Sequence, residues 1–161
     1  MMRVIKFALV LVATISLLSY SLAPATKSYK CMIQLTNYNG EGAYVVVSLM
    51  NPKGEYVKTI YIQGDDKEWY HEISSWWKYY GKKRYNVDAI SGSTVSPGER
   101  KINILKIDSD KVDKGYYLRF ESAVEEKNYY EKDIQFELTA GNLIKKHQGS
   151  GFIRYVRFIE Q

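Results

Sequence analysis

Between Asp88 and Gly98 a carboxylate, small hydroxyl residues and glycines crowd into one short stretch, Asp88-Ala89-Ile90-Ser91-Gly92-Ser93-Thr94-Val95-Ser96-Pro97-Gly98. Ser91, Ser93 and Thr94 set three hydroxyls around Gly92. Glycine can take a positive φ and let the backbone approach a ligand closely. Successive N–H groups in such a turn can form an anion-binding nest. Asp88 can accept from the N–H groups that follow it, and Arg100 and Lys101, just downstream, can balance a phosphate. The competing reading is a plain surface loop, because Ser, Gly, Asp and Pro are what loops contain anyway.

Other constellations are weaker. His71 and His147 are the only histidines, and neither stands near Cys31 or a carboxylate at ligand spacing, so no structural zinc site is expected. Asp108, Asp110 and Asp113 invite a calcium reading. The loop lacks the distal bidentate glutamate, and Lys111 and Lys114 would repel a cation, so a solvated turn is expected. No Gly-x-Ser-x-Gly nucleophile elbow occurs, which leaves an exported hydrolase without recognisable catalytic residues.

The elements that must position the central stretch read mostly as strands. Apolar and polar residues alternate over Cys31–Leu35, Ala43–Met50, Tyr56–Gln63, Arg100–Ile107, Tyr116–Val124, Asp133–Leu138 and Phe152–Ile159. The turn Asn51-Pro52-Lys53-Gly54 joins the second and third of these into a hairpin. Trp69, Ile73, Trp76, Trp77 and Tyr80 recur at steps of three and four, which predicts one short helix over Lys67–Tyr80. Acidic residues before it and Lys82-Lys83-Arg84 after it suit the helix dipole. Trp76 and Trp69 are expected in the core. Gly141–Gly151 is read as loop. About seven strands without βαβ spacing, and with one short helix, predict a mainly β chain, an antiparallel immunoglobulin-like β-sandwich.

The N-terminus sets the compartment. Arg3 and Lys6 precede the apolar stretch Phe7–Leu18, and Ala23-Pro24-Ala25 supplies a small-x-small cleavage pattern. Residues 1–25 therefore read as a secretory signal peptide, with an uncleaved anchor as the competing reading. Residues 26–161 are left as a single exported domain of the periplasm or cell envelope, touching membrane only through the N-terminal segment. Removal of residues 1–25, which contain no acid, lowers the formal net charge from +5 to +3. Its charges alternate in sign, so no nucleic-acid partner is expected. Cys31 is the only cysteine, which excludes an internal disulfide. Ser28-Tyr29-Lys30 before it argues against lipidation.

The run Asp88 to Ser96 resembles the covalent-flavin attachment motif of FMN-binding domains in sodium-pumping quinone reductases and related exported electron carriers. In that family a flavin transferase moves FMN from FAD onto the motif's threonine through a phosphoester bond. The resemblance implies Thr94 as acceptor, Ser91, Gly92 and Ser93 as motif core, and Asp88 as the acidic start. Ser93 stands where that family usually has alanine. The wider chain resembles the exported bacterial proteins of domain of unknown function 2271. That likeness rests on the early strand pair, the Trp76-Trp77 helix, the Asp88–Gly98 turn and Gly115-Tyr116-Tyr117. It implies a β-sandwich associated with flavin-based electron transfer, served by the transferase and a membrane redox partner. Trp76, Trp77, Tyr79 and Tyr80 are then candidates to stack on the flavin. On this reading the chain is an electron carrier and not a stand-alone catalyst. The alternative is a flavin-free immunoglobulin-like binding or structural module of the envelope.

Overall fold

The computed structural model describes residues 25–159. The expected signal segment, residues 1–25, lies outside the described residues except for Ala25.

Nine strands form two sheets. The first sheet has the order β5-β1-β9-β8, from β1 (Thr26–Leu35), β5 (Arg100–Asp108), β8 (Lys146–Gln148) and β9 (Ile153–Ile159). The second has the order β4-β3-β2-β6-β7, from β2 (Tyr44–Met50), β3 (Tyr56–Gln63), β4 (Ser91–Gly92), β6 (Tyr117–Ala123) and β7 (Tyr129–Glu137). All pairings are antiparallel except β3 with β4. The expected mainly β architecture is present, with nine strands and not seven. The two additional strands are too short to show alternation, β4 having two residues and β8 three. The β2–β3 hairpin stays within one sheet, whereas the immunoglobulin arrangement places the second and third strands in opposite sheets.

Alternation puts one set of side chains between the sheets. Cys31, Ile33 and Leu35 of β1 and Leu105 and Ile107 of β5 share a buried cluster with residues of the second sheet. Those partners include Val45, Val47 and Leu49 of β2 and Leu118 and Phe120 of β6. Each such side chain contributes roughly 1.5–3 kcal/mol by leaving water.

The second sheet is also covered on its outer face, which explains why all seven residues of β2 are buried. Here the helical segment packs Tyr70, Ile73, Trp76 and Tyr80 onto Tyr44, Val46 and Ile62. The single helix expected over Lys67–Tyr80 is in fact two pieces. A 3-10 helix, Lys67–Glu72, opens with the Asp66 carboxylate accepting from Glu68 N–H, and α1, Ser74–Lys83, follows after a break at Ile73. The break rotates the first piece, so Tyr70 is fully buried and Trp69 only half so. Trp76 takes its expected core place, stacked on Tyr80 at 4.7 Å and donating its indole N–H to Thr59 Oγ1 at 2.8 Å. A further helical turn, α2 (Ala140–Leu143), capped by Thr139, and then β8 occupy the stretch expected to be loop.

Candidate functional site

The Asp88–Gly98 stretch is the strap that carries the chain from one sheet to the other. It begins as a 3-10 turn, Asp88–Ile90, whose neighbours Val87 and Ile90 pack into the cluster beneath α1. Ser91 and Gly92 then pair in parallel with Ile62 and Gln63, at the edge of the second sheet. Val95 is buried and bridges Ala43, its carbonyl accepting from Ala43 N–H at 2.9 Å. Gly98, at φ +75°, donates to the Thr36 carbonyl and turns the chain into β5, the edge of the first sheet.

Polar side chains from both sheets hold the strap at Ser93. Gln63 donates its side-chain amide to the Ser93 carbonyl, and the buried Asn103 of β5 donates to Gln63 Oε1 at 2.9 Å. Lys101 places Nζ 2.7 Å from Ser93 Oγ and 3.4 Å from the Ser93 carbonyl. The side-chain hydrogen bonds from Gln63 and Lys101 thus converge on Ser93, and no hydrogen bond among the described residues uses the Thr94 hydroxyl. Thr94 is half-buried, with its side chain against Gly42. A Cβ added to Gly42 would lie 2.7 Å from Thr94 Oγ1. Chain packing at Gly42 thus sets which way Thr94 faces.

Three roles expected for this stretch take a different form. Gly92 is not at positive φ, so no nest forms around it. A Cβ there would instead lie 2.5 Å from the Tyr61 hydroxyl, which would have to shift to admit it. Asp88 does not brace the following turn. It is exposed and paired with Lys67 Nζ at 2.6 Å, while Asn86 Oδ1 accepts from Asp88 N–H at 2.8 Å. That pairing raises the Lys67 pKa by hydrogen bonding and Coulomb attraction. Ser91 Oγ turns back to the Asp88 carbonyl at 3.3 Å. The loop at Asp108–Gly115 also has its own partners: Asp108 accepts from Lys58 Nζ at 2.7 Å and Asp110 from Lys111 Nζ at 2.6 Å.

The aromatic residues before the motif divide by face. Trp76 and Tyr80 are interior to the cluster beneath α1 and have no free ring face, and Trp77 leans on Tyr80 at 5.7 Å. The tyrosines next to the strap are others. Tyr61 touches Gly92, and Tyr38, packed on Phe152 at 4.7 Å, donates to the Glu41 carbonyl beside Gly42. Burial raises both hydroxyls, Tyr38 to about 12. Gln63, Gly42 and Tyr61 carried no signal in the sequence, because what distinguishes them is a contact made across the fold.

A phosphate ester at this strap requires a hydroxyl not already committed within the fold and a cation beside it. Among the described residues the Thr94 hydroxyl has no hydrogen bond, the Lys101 ammonium is held at the adjoining Ser93, and the Asp88 carboxylate is engaged by Lys67. A phosphate esterified at Thr94 would lie one residue along the strap from the Ser93 hydroxyl that holds Lys101.

A second polar cluster lies under α1. Glu121 of β6 is fully buried and accepts from the hydroxyls of Tyr56 and Tyr129. Tyr129 also receives Ser75 N–H of α1 at 3.3 Å, and Tyr56 stacks on Tyr79 at 5.3 Å. Arg119 lies over the Tyr56 ring at 5.4 Å and is held by Gln135 Oε1 at 2.7 Å and Glu131 Oε1 at 3.0 Å. Burial pushes Glu121 up from its ordinary 4.5 to about 7, against the opposing pull of the two tyrosines and Arg119.

A protein-family model described as "Predicted periplasmic protein (DUF2271)" matches residues 26–155. No curated protein and no solved structure matches the chain.

Proposed function

We propose that this chain, which belongs to the family of predicted periplasmic proteins DUF2271, is an exported flavin-associated electron-transfer domain that accepts covalent FMN at Thr94. The observation that carries this reading is the strap itself. Gln63 and Lys101 bond it at Ser93, no hydrogen bond among the described residues uses the Thr94 hydroxyl, and the Lys101 ammonium is held at the neighbouring residue. Ser91, Gly92 and Ser93 set the backbone course, Gly92 by admitting the Tyr61 hydroxyl and Ser93 by taking Lys101 and Gln63. Asp88 keeps the Lys67 ammonium at the start of the strap. A bound flavin supplies one- and two-electron redox chemistry, and the protein supplies its attachment and orientation. Partners on this reading are a flavin transferase and a membrane redox partner, within the periplasm.

Coexpression with an active flavin transferase tests it. Intact-mass measurement is expected to find one FMN added to the wild type, none on Thr94→Ala, and one on Ser93→Ala. An unmodified wild type beside a transferase that labels its own substrate would overturn the assignment.

One observation favours a second reading. Trp76 and Tyr80 are enclosed and offer no platform to a ring, and Gln63, Asn103 and Lys101 tie the two sheets through the strap. The strap would then be a purely mechanical closure of a flavin-free, two-sheet binding or structural module of the envelope. Such a protein stays colourless and unmodified in the same coexpression.

A further inference from the structure

The two sheets differ in what covers their outer faces. The second carries the 3-10 helix and α1. The first, among the described residues, shows its outer side chains to solvent, in rows fixed by the strand register. Across β5, β1 and β9, Ile102 stands beside Met32 and Met32 beside Arg157, which is followed on β8 by Lys146. The next row runs Ile104, Lys30, Ile159, and the row on the other side Arg100, Gln34, Tyr155. Lys106 stands opposite Ser28.

Two properties of this face occur together. Ile102 and Ile104 are 55% and 47% exposed, on neighbouring outward positions of one strand. Met32, Arg157 and Ile159 also line an open cleft of about 1010 Å³ whose other wall carries Leu143 and the 70% exposed Ile144, so apolar surface continues past the sheet. The charge is of one sign. Lys30, Arg100, Lys106, Lys146 and Arg157 are all exposed, and β1, β8 and β9 contain no Asp or Glu. The one acid of β5 is Asp108, at its end and neutralised by Lys58.

We infer that the outer face of the first sheet docks on an anionic phospholipid surface. Cations interleaved with exposed aliphatic side chains match the two layers such a surface presents, charged headgroups and the acyl boundary beneath them. The face is also broad. Its nine- and ten-residue strands span roughly 30 Å, and four strands side by side roughly 15–20 Å. An acidic protein would complement the cations without requiring isoleucines between them. In sequence, the apolar stretch Phe7–Leu18 leads into β1, a strand of this sheet, so an anchored form would present this sheet near the bilayer. The expectation of membrane contact only through the N-terminal segment is thereby extended to a second contact, independent of whether Thr94 carries flavin.

Sedimentation of the full-length protein with vesicles tests the inference. The vesicles are phosphatidylcholine alone, or phosphatidylcholine and phosphatidylglycerol in equal parts. Each cation near an anionic leaflet is worth about fivefold in binding. The wild type should favour the anionic vesicles and lose that preference as salt is raised. The triple variant Lys30→Gln, Lys106→Gln, Arg157→Gln should lose on the order of a hundredfold in anionic-vesicle binding, with unchanged circular dichroism. Any binding to neutral vesicles through residues 1–25 should be the same in both proteins. Equal wild-type binding to both vesicle types would overturn the inference. So would a triple variant that binds like wild type. Saturable, charge-dependent capture of a soluble acidic protein with no anionic-vesicle preference would assign the face to a protein partner instead.

Discussion

Asp133→Ala should cost about 4 kcal/mol of folding stability, read as a large drop in the urea midpoint at unchanged slope. Asp133 lies on β7, 3% exposed, and its carboxylate gathers four donors. Oδ1 accepts from Ser150 N–H at 2.8 Å and Gly151 N–H at 2.7 Å, and Oδ2 from Ile153 N–H at 2.8 Å and Ser122 Oγ at 2.5 Å. Ile153 opens β9 of the first sheet, whereas Asp133 and Ser122 belong to the second. One side chain therefore pins the β8–β9 turn across the two layers. Truncation removes the acceptor and leaves backbone N–H groups without partners, and the orphaned donors cost more than the bonds contributed. The glycines there are part of the same device, since a Cβ on Gly149 or Gly151 would lie 2.6 or 2.9 Å from the carboxylate oxygens. Asp133→Asn should fall between wild type and alanine, because an amide keeps one acceptor oxygen. A loss below about 1 kcal/mol for alanine, the value of a single ordinary hydrogen bond, would refute the pinning role.

The second large effect is a pH dependence carried by Glu121. Its pKa is about 7 in the folded protein against an ordinary 4.5. Between those values the folded state holds a proton that the unfolded state has lost. Stability from this group is therefore greatest below about 4.5 and declines as pH rises to about 7, by roughly 3 kcal/mol. The groups facing Glu121 are Tyr56 from β3, Tyr129 from β7 and Arg119 from its own strand, with Glu131 nearby from β7. Both tyrosine hydroxyls are held above their ordinary range by burial and the adjacent carboxylate, so neither titrates in this window. In Glu121→Gln the amide oxygen can still accept from one tyrosine, and its NH₂ can donate to the other. The stability difference between variant and wild type should accordingly move in the variant's favour as pH rises from about 4.5 to about 7. Chemical denaturation across that range measures it, and parallel curves for the two proteins would exclude Glu121 as the titrating group.

These two carboxylates also show what a sequence can and cannot disclose. The β2–β3 hairpin was legible because its turn is local chemistry. Asn51 Oδ1 accepts from Lys53 N–H and Glu55 N–H, and Gly54 supplies φ +79°. Tyr56–Gln63 was placed correctly to the residue for the same reason, alternation between two clear turns. Glu121 was not legible. Tyr117, Arg119 and Glu121 alternate like a solvated face, and only contacts between segments far apart in sequence bury Arg119 and Glu121. The helix break at Ile73 followed the same logic, since one spacing pattern fits a single helix and a bent pair equally well. Within the strap, the cluster of small hydroxyl residues and glycine around Thr94 could be read as a pattern. The Lys101 contact, the Gln63–Asn103 link and the Gly42 wall depend on two sheet edges meeting and leave no periodic trace.

The strand order of the first sheet bears on when the protein can fold. β1 pairs with β5 on one side and with β9 on the other, so the earliest described strand is completed by the latest. The first partner, β5, ends at Asp108, but the second, β9, is not available until nearly all of the chain has emerged. Such long-range closure slows folding and keeps an incomplete chain open. In a family described as predicted periplasmic proteins such a delay would have a use, because a chain that cannot close early can be threaded unfolded across a membrane. Cys31 sits in the middle of that waiting strand, between Asn103 and Phe158. Once both neighbours arrive its thiol is buried and driven well above its ordinary pKa, so a chain that finishes folding also withdraws its only thiol from the oxidants of the compartment.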